Sequence, residues 1–138
     1  MRLRKDAKIE LLKSVPLFAR CSKKELAAIA QIADEIDLAD GKQLTKEGSR
    51  GREFFVLVEG SAEVKRKRRK IGTLGAGDFL GEIALVTKVP RTATVTTTSP
   101  VRALVVSEQN FRRLLERSPD VQIKVLEALA ERVAASSL

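Results

Sequence analysis

Apolar residues recur at helical spacing near both ends of the chain and form short runs between them. From Leu3 to Val15 the apolar positions recur every four residues, which predicts an amphipathic helix over residues 3–15. Ser22-Lys23-Lys24-Glu25 has the pattern of a capping box and precedes another apolar face. A second helix is therefore predicted over residues 23–33.

Between Glu35 and Ser107 the apolar runs become short, and glycines interrupt them. Residues 54–58 form a continuous apolar run, as expected of a strand buried in a sandwich core. Residues 92–98 and 101–106 read as two strands of a hairpin split by Ser99-Pro100. About eight short strands with close turns predict an antiparallel β jelly roll.

Helical spacing returns after Ser107, with one helix predicted over residues 108–116 and another beginning at Ser118-Pro119-Asp120. The second helix is expected to pack through one apolar face, formed by Ile123, Leu126, Leu129, Ala130 and Val133. The prediction is an α+β fold in a single domain, residues 1–138. N-terminal helices occupy residues 1–34, the eight-stranded jelly roll residues 35–107, and C-terminal helices residues 108–138.

The composition argues against catalysis and metal binding. The 138 residues include no histidine and one cysteine, Cys21, so the commonest general base and the commonest metal ligand are both missing. We expect neither an enzyme nor a metal site. No apolar run approaches the 18 residues or so that a transmembrane helix needs. A lone cysteine gives no disulfide framework, and these features together favour the cytoplasm.

The net charge of +8 favours an anionic ligand or partner. The densest run of basic residues is Lys65-Arg66-Lys67-Arg68-Arg69-Lys70, which lies in a predicted hairpin between Val64 and Ile71. This run is either a solvated loop or a contact for nucleic acid or an anionic membrane. Because the chain has no tyrosine or tryptophan, base stacking on a single strand is poorly supported.

The segment over residues 81–95 carries the most specific chemistry. Gly81 lets backbone approach a ligand closely, and the turn over residues 82–86 begins with free N–H groups that can point at an anion. Arg91 offers a fork of donors that matches two phosphate oxygens. Glu82 beside a phosphate makes sense if it accepts a hydrogen bond from a ribose hydroxyl.

This segment closely resembles the phosphate-binding cassette of the cyclic nucleotide-binding domain family, with the cassette at residues 80–93. The resemblance extends to Glu47-Gly48-Ser49, to a first long hairpin over residues 54–64, and to the later strand and helix at residues 104–106 and 111–115. Two departures are visible. Leu80, not an aromatic residue, precedes the Gly-Glu pair, and Ser49-Arg50 follows Gly48 where many members have an aspartate.

The resemblance implies a 3′,5′-cyclic nucleotide, cAMP or cGMP, as the ligand. Arg91 and Thr92 would hold the phosphate, Glu82 the ribose 2′-hydroxyl, and the C-terminal helix would close over the base. Thr92 could also reach a guanine amino group, but cAMP is favoured over cGMP. The expected ligand-binding residues are Gly81, Glu82, Ile83, Ala84, Arg91, Thr92 and Ala93, with Val64 and Leu74 against the purine.

Two alternatives belong to other classes. One is a nucleic-acid-associated protein that uses the basic run at residues 65–70 and has a degenerate nucleotide site. The other is a structural jelly-roll adaptor. In the sensor interpretation the chain either stands alone or is the regulatory part of something larger, because no helix-turn-helix or other effector module is recognisable after the last strand.

Overall fold

The computed structural model describes residues 2–136 as four α-helices, eight strands and two 3-10 turns. The helices are α1 (Lys5–Lys13), α2 (Lys23–Gln31), α3 (Glu108–Arg117) and α4 (Pro119–Ser136). The 3-10 turns are Pro16–Phe18 and Glu82–Leu85. The strands are β1 (Asp34–Leu38), β2 (Gln43–Thr45), β3 (Glu53–Glu59), β4 (Ala62–Arg66), β5 (Arg69–Leu74), β6 (Phe79–Leu80), β7 (Thr94–Thr97) and β8 (Val101–Ser107).

The strands form two four-stranded antiparallel sheets, in the orders β1-β8-β3-β6 and β2-β7-β4-β5. Leu57, Val95 and Ala103 belong to the apolar cluster shared by the sheets. Helices flank this sandwich at both ends of the chain, so the predicted α+β jelly roll is confirmed. The cassette interrupts the strands between β6 and β7.

Two of the predicted hairpins are wrong. β3 and β4 lie in different sheets, and so do β7 and β8. The short links at Gly60 and at Ser99-Pro100 are corners where the chain crosses between sheets. They pack together: the Ser61 N–H donates to Ser99 Oγ (3.0 Å), and a Cβ at Gly60 would overlap the Pro100 carbonyl. Glycine and proline mark a change of direction in either case, so the sequence could not distinguish a hairpin turn from a corner.

A second core joins the helices to the first sheet. The ring of Phe18, from the Pro16–Phe18 turn, lies 6.0 Å from that of Phe54 on β3 and 5.7 Å from that of Phe111 on α3. All three rings are buried. Such aromatic pairs stabilise a core beyond the effect of their buried area. This cluster fixes the N-terminal helices and α3 against the same side of the sandwich.

The predicted starts of α2, α3 and α4 are confirmed, whereas the first helix, predicted over residues 3–15, spans Lys5–Lys13. The predicted packing face of α4 is wrong. Ser22 and Glu25 form both hydrogen bonds of a capping box at α2, and α4 begins at Pro119. In α4 the buried residues are Val121, Val125 and Ala128. The predicted face is largely solvent-exposed, with Ile123, Leu126 and Val133 each more than half exposed. The helix is apolar on two sides, and spacing alone did not reveal which side packs.

No helix within the described residues combines the length and apolar character needed to cross a membrane.

Candidate functional site

Two adjoining cavities lie beside the cassette. One, of about 260 Å³, is lined by the second sheet through Thr45, Val64 and Val95. The other, of about 360 Å³, is lined by the 3-10 turn of the cassette. Five lining residues are common to both: Phe79, Leu80, Gly81, Arg91 and Thr92. Small-ligand pockets typically span about 300–1,000 Å³, so the pair suits a small molecule.

The side chain of Arg91 lies where the two cavities meet. Its Nη2 donates to the backbone carbonyl of Glu53. Its Nε–H is buried and has no hydrogen-bond partner among the described residues. Because an unsatisfied buried donor on a charged group is costly, this arrangement leaves the positive charge of Arg91 poorly compensated, which favours an anion beside the guanidinium.

Two glycines leave the space that the Arg91 guanidinium fills. A Cβ at Gly51 would overlap its Nε and Cζ, and a Cβ at Gly81 would overlap its Nη1. Gly81 also adopts a left-handed conformation (φ 82°), which is disfavoured for other residues. The backbone on both sides of the guanidinium is therefore shaped around it.

Partial burial lowers the pKa of the Arg91 guanidinium, and the negative charge of Glu53 opposes this shift. Desolvation disfavours the charged form of any cation, and a bound anion would restore it. The electrostatics of the site thus point to a negatively charged ligand.

The backbone of Arg91 is fixed by the loop between β2 and β3. The Arg91 N–H donates to the Ser49 carbonyl (2.8 Å), and the Arg91 carbonyl accepts from the Gly48 N–H (2.9 Å). Thr45 holds the exit from the cassette, because its Oγ1 donates to the Ala93 carbonyl and accepts from the Val95 N–H. The segment that carries Arg91 and Thr92 is anchored on both sides.

Glu82 has partners that the sequence did not suggest. The residue is 8% exposed. Its Oε2 accepts from the Leu17 N–H (3.0 Å), and its Oε1 accepts from Arg132 Nη2 on α4 (2.6 Å). Its carboxylate therefore links the cassette to the first 3-10 turn and to the C-terminal helix. These partners lie 65 and 50 positions away in the chain, beyond any local pattern.

The structure gathers the predicted site residues around the two cavities. The first is lined by Val64, Leu74 and Ala93, and the second by Glu82, Ile83 and Ala84. Gly81, Arg91 and Thr92 line both.

Sequence analysis missed Arg66 as a lining residue of the first cavity. Its Nε donates to the carbonyl of Thr92 (3.0 Å). The signal was available, since Arg66 follows Val64 by two positions in β4 and side chains two apart share a face of a strand. Arg66 was instead interpreted as part of the basic run at residues 65–70.

No group of three or more metal-ligating side chains occurs within residues 2–136.

The fold and the cassette together define a class of jelly-roll domain with an internal site suited to a small anionic ligand. A family model described as the cyclic nucleotide-binding domain matches residues 35–118. The chain belongs to the cyclic nucleotide-binding domain family.

Among curated proteins, a cAMP-dependent protein kinase regulatory subunit from Mycosarcoma maydis is 38% identical over 115 residues. The match covers 77% of this chain but 22% of that protein, so the chain spans about a fifth of this relative's length.

Solved structures share the fold. The N-terminal domain of a transcriptional regulator from Streptomyces coelicolor A3(2) has a TM-score of 0.84 at 28% identity, covering 92% of this chain and 94% of that one. A cyclic nucleotide-binding-like protein from Brucella abortus has a TM-score of 0.75 at 28% identity, covering 80% and 99%. A structure described as cAMP-bound PfPKA-R has a TM-score of 0.67 at 26% identity, covering 92% and 46%.

Proposed function

We propose that this domain binds a 3′,5′-cyclic nucleotide, cAMP in preference to cGMP, and serves as a regulatory sensor. The observation that carries the proposal is the guanidinium of Arg91, which lies between two cavities with its buried Nε–H unpartnered. A cyclic phosphate diester carries one negative charge and two free oxygens, which suit one guanidinium fork.

The remaining groups suit the other parts of the nucleotide. The N–H groups of Glu82 and Ile83 open a 3-10 turn and have no acceptor within it, so they can donate to the phosphate with Thr92. Val64 and Leu74 offer an apolar surface to the purine, with Ile83 beside the second cavity. Glu82 is the proposed acceptor for the ribose 2′-hydroxyl.

The preference for cAMP is supported by relatives: the M. maydis protein is named cAMP-dependent, and the PfPKA-R structure is described as cAMP-bound.

A substitution of Thr92 tests the preference, because the exposed side chain of this residue lines both cavities. If its hydroxyl reads a guanine amino group, Thr92→Ala will weaken cGMP more than cAMP, by about 1 kcal/mol. Calorimetry with both nucleotides measures the difference. An equal loss would reduce Thr92 to a phosphate contact.

We propose that nucleotide binding switches α4. The Glu82–Arg132 ion pair holds this helix to the cassette, and an Arg20–Glu131 pair holds it to the segment after the first 3-10 turn. The ribose and Arg132 would compete for the same carboxylate. Binding would loosen α4 from its present position and let its exposed apolar side close over the base. Such a change needs only different contacts in two states.

The proposed role is binding and not catalysis, with an effector domain or protein outside this sequence as the partner and the cytoplasm as the location. The regulatory-subunit name of the M. maydis relative supports a partner of this kind.

A thermal shift panel tests the proposal. cAMP, cGMP and non-cyclic 5′-AMP are compared, the last as the control for general nucleotide binding. A ligand at about 100 times its Kd should stabilise the fold by roughly 2.7 kcal/mol, with cAMP effective at the lowest concentration and 5′-AMP inactive. If neither cyclic nucleotide changes the Tm while duplex DNA does, the nucleic-acid alternative with a degenerate site replaces this proposal.

A further inference from the structure

The basic charge of this protein is concentrated at one place. Six of its 26 basic residues are consecutive, at residues 65–70, and the other 20 nearly balance the 18 acidic residues. These six residues form the end of β4, the two-residue turn and the start of β5, and all six are exposed. We refer to residues 65–70 as the basic hairpin.

The strand register places like charges directly opposite each other. Lys65 pairs with Lys70, and Arg66 pairs with Arg69. Paired residues on antiparallel strands project on the same side, and neighbouring pairs project on opposite sides. Two cations therefore lie on each face of the ribbon and two more at its tip. Like charges directly opposite destabilise a sheet, so this pattern opposes the hairpin's own folding.

The turn is also unfavourable for its residues. Lys67 and Arg68 both have positive φ, at 52° and 67°. A two-residue turn of this kind normally carries Asn-Gly, because other side chains are disfavoured in the left-handed region. The two-residue turn itself requires these φ values, and the Lys67 N–H donates to Glu47 Oε1 (2.8 Å), so the notable feature is that two cations occupy these positions at a cost in turn stability.

Contacts within the domain offset only part of this charge. Lys65 pairs with Glu63 at 3.2 Å, and Arg66 donates to the Thr92 carbonyl. No ion pair is found for Arg68, Arg69 or Lys70 anywhere in the described part of the chain. An external polyanion would supply the missing negative charge.

The arrangement distinguishes among polyanions. A flat membrane surface meets one face of a ribbon, whereas this hairpin carries cations on both faces and at the tip. The major groove of B-form DNA is about 12 Å wide, admits a two-stranded β-ribbon and is flanked by phosphates on both sides. The major groove of duplex RNA is too narrow, and no aromatic residue is available in residues 65–70 for stacking on single strands.

We propose that the basic hairpin docks on double-stranded DNA, entering the major groove as a ribbon and contacting phosphates on both walls. Such contacts position a protein on the duplex without reading its sequence. This activity is additional to nucleotide binding and does not depend on it.

The test compares two variants that remove the same charge. The hairpin variant replaces four cations with glutamine and keeps Arg66, which lines the nucleotide cavity; its changes are Lys65→Gln, Lys67→Gln, Arg68→Gln and Lys70→Gln. The control neutralises four exposed lysines near the amino terminus, with the changes Lys5→Gln, Lys13→Gln, Lys23→Gln and Lys24→Gln.

Fluorescence anisotropy with a labelled duplex of about 20 base pairs measures the affinity across a salt series. When the logarithm of the binding constant is plotted against the logarithm of the salt concentration, the slope is about −0.9 for each phosphate that the protein neutralises. The hairpin variant should lose at least tenfold in affinity, with a slope shallower by up to about 3.6. The control should keep the slope of the unaltered protein. Equal behaviour of the two variants would overturn the proposal.

A second variant separates binding from folding. Lys67→Asn/Arg68→Gly supplies the residues that the turn prefers, so this protein should melt at a higher temperature yet bind the duplex more weakly. Vesicles of phosphatidylcholine with phosphatidylserine form the other arm. Binding to these vesicles that needs the hairpin, without binding to duplex, would identify a membrane contact and reject DNA. Affinity for cAMP should be equal in the hairpin and control variants.

Discussion

The guanidinium of Arg91 lies between Gly51 and Gly81. It can lie there because neither glycine has a side chain, and a Cβ at either position would overlap it. The two glycines differ in an informative way. Gly81 needs its left-handed backbone as well as the open space, whereas Gly51 does not have a positive φ. Substitution at Gly51 therefore acts on Arg91 through steric overlap without straining its own backbone.

We predict that Gly51→Ala displaces the Arg91 guanidinium and weakens cAMP binding at least tenfold, about 1.4 kcal/mol. Calorimetry measures the affinity, and thermal melting checks the fold. Gly75→Ala is the matched control, since Gly75 has no positive φ and nothing lies within 4 Å of an added Cβ. If Gly51→Ala binds like the control, the guanidinium position is not what the ligand requires.

Glu82 connects three segments, so its removal will have two separable effects. Losing the acceptor for the Leu17 N–H lowers stability, whereas losing the proposed ribose acceptor lowers affinity. A single affinity measurement on Glu82→Ala would mix them.

A double cycle separates these effects. Glu82→Ala should weaken cAMP by about 1–3 kcal/mol but cost far less against 2′-deoxy-cAMP, because both changes remove the same hydrogen bond. Glu82→Gln serves as the control that keeps an oxygen acceptor for Leu17. Fully additive losses in calorimetry would show that Glu82 does not touch the ribose.

At the scale of elements, α4 is the helix best placed to move. Among the side chains that the structure describes on this helix, Val121, Val125 and Ala128 are the buried ones, and all three lie in its first ten residues. Its second half is held by the Glu82–Arg132 and Arg20–Glu131 pairs, and the latter is half exposed. Exposed ion pairs contribute little, so the partly buried pair with Glu82 is the stronger of the two, and it uses the carboxylate that the ribose would claim in our proposal.

We predict that Arg132→Ala raises cAMP affinity several-fold, because Glu82 would no longer be shared with the helix. Arg132→Lys, which keeps the charge, should bind cAMP with an affinity close to that of the unaltered protein.

Hydrogen exchange should show amides of residues 121–134 gaining protection with cAMP as the helix closes. A fall in affinity for Arg132→Ala would mean that Arg132 orients Glu82 for the ligand. Protection confined to residues 81–95 would place the switch elsewhere.

At the scale of the whole molecule, local signals predicted the elements but not their partners. The capping box at Ser22, the helix start at Pro119 and the buried run at residues 54–58 depend on neighbours in sequence, and the structure contains all three. The corners at Gly60 and Ser99-Pro100 were misread as hairpin turns, since which sheet receives the next strand is decided by distant pairing.

In the candidate site, too, features set by neighbours in sequence were predicted and features set by tertiary contacts were not. The cassette motif is contiguous, so its residues could be named from the sequence, and they line the two cavities. The contacts of Glu82 with Leu17 and Arg132, the Gly51 approach to Arg91 and the place of Arg66 all arise from folding. The packing side of α4 was mispredicted because the helix has two apolar sides, and only the tertiary structure selects one.

The central claim is that Arg91 binds the phosphate of a cyclic nucleotide. Calorimetric titration of cAMP into the unaltered protein, Arg91→Leu and the control Arg113→Leu tests it most directly, with circular dichroism to verify each fold. Arg113 is an exposed arginine on α3 outside both cavities. We predict one equivalent of cAMP for the unaltered protein and the control, and a loss of about 2–5 kcal/mol for Arg91→Leu, because a desolvated phosphate would lose its charged partner. Unchanged affinity in a folded Arg91→Leu protein would contradict the account.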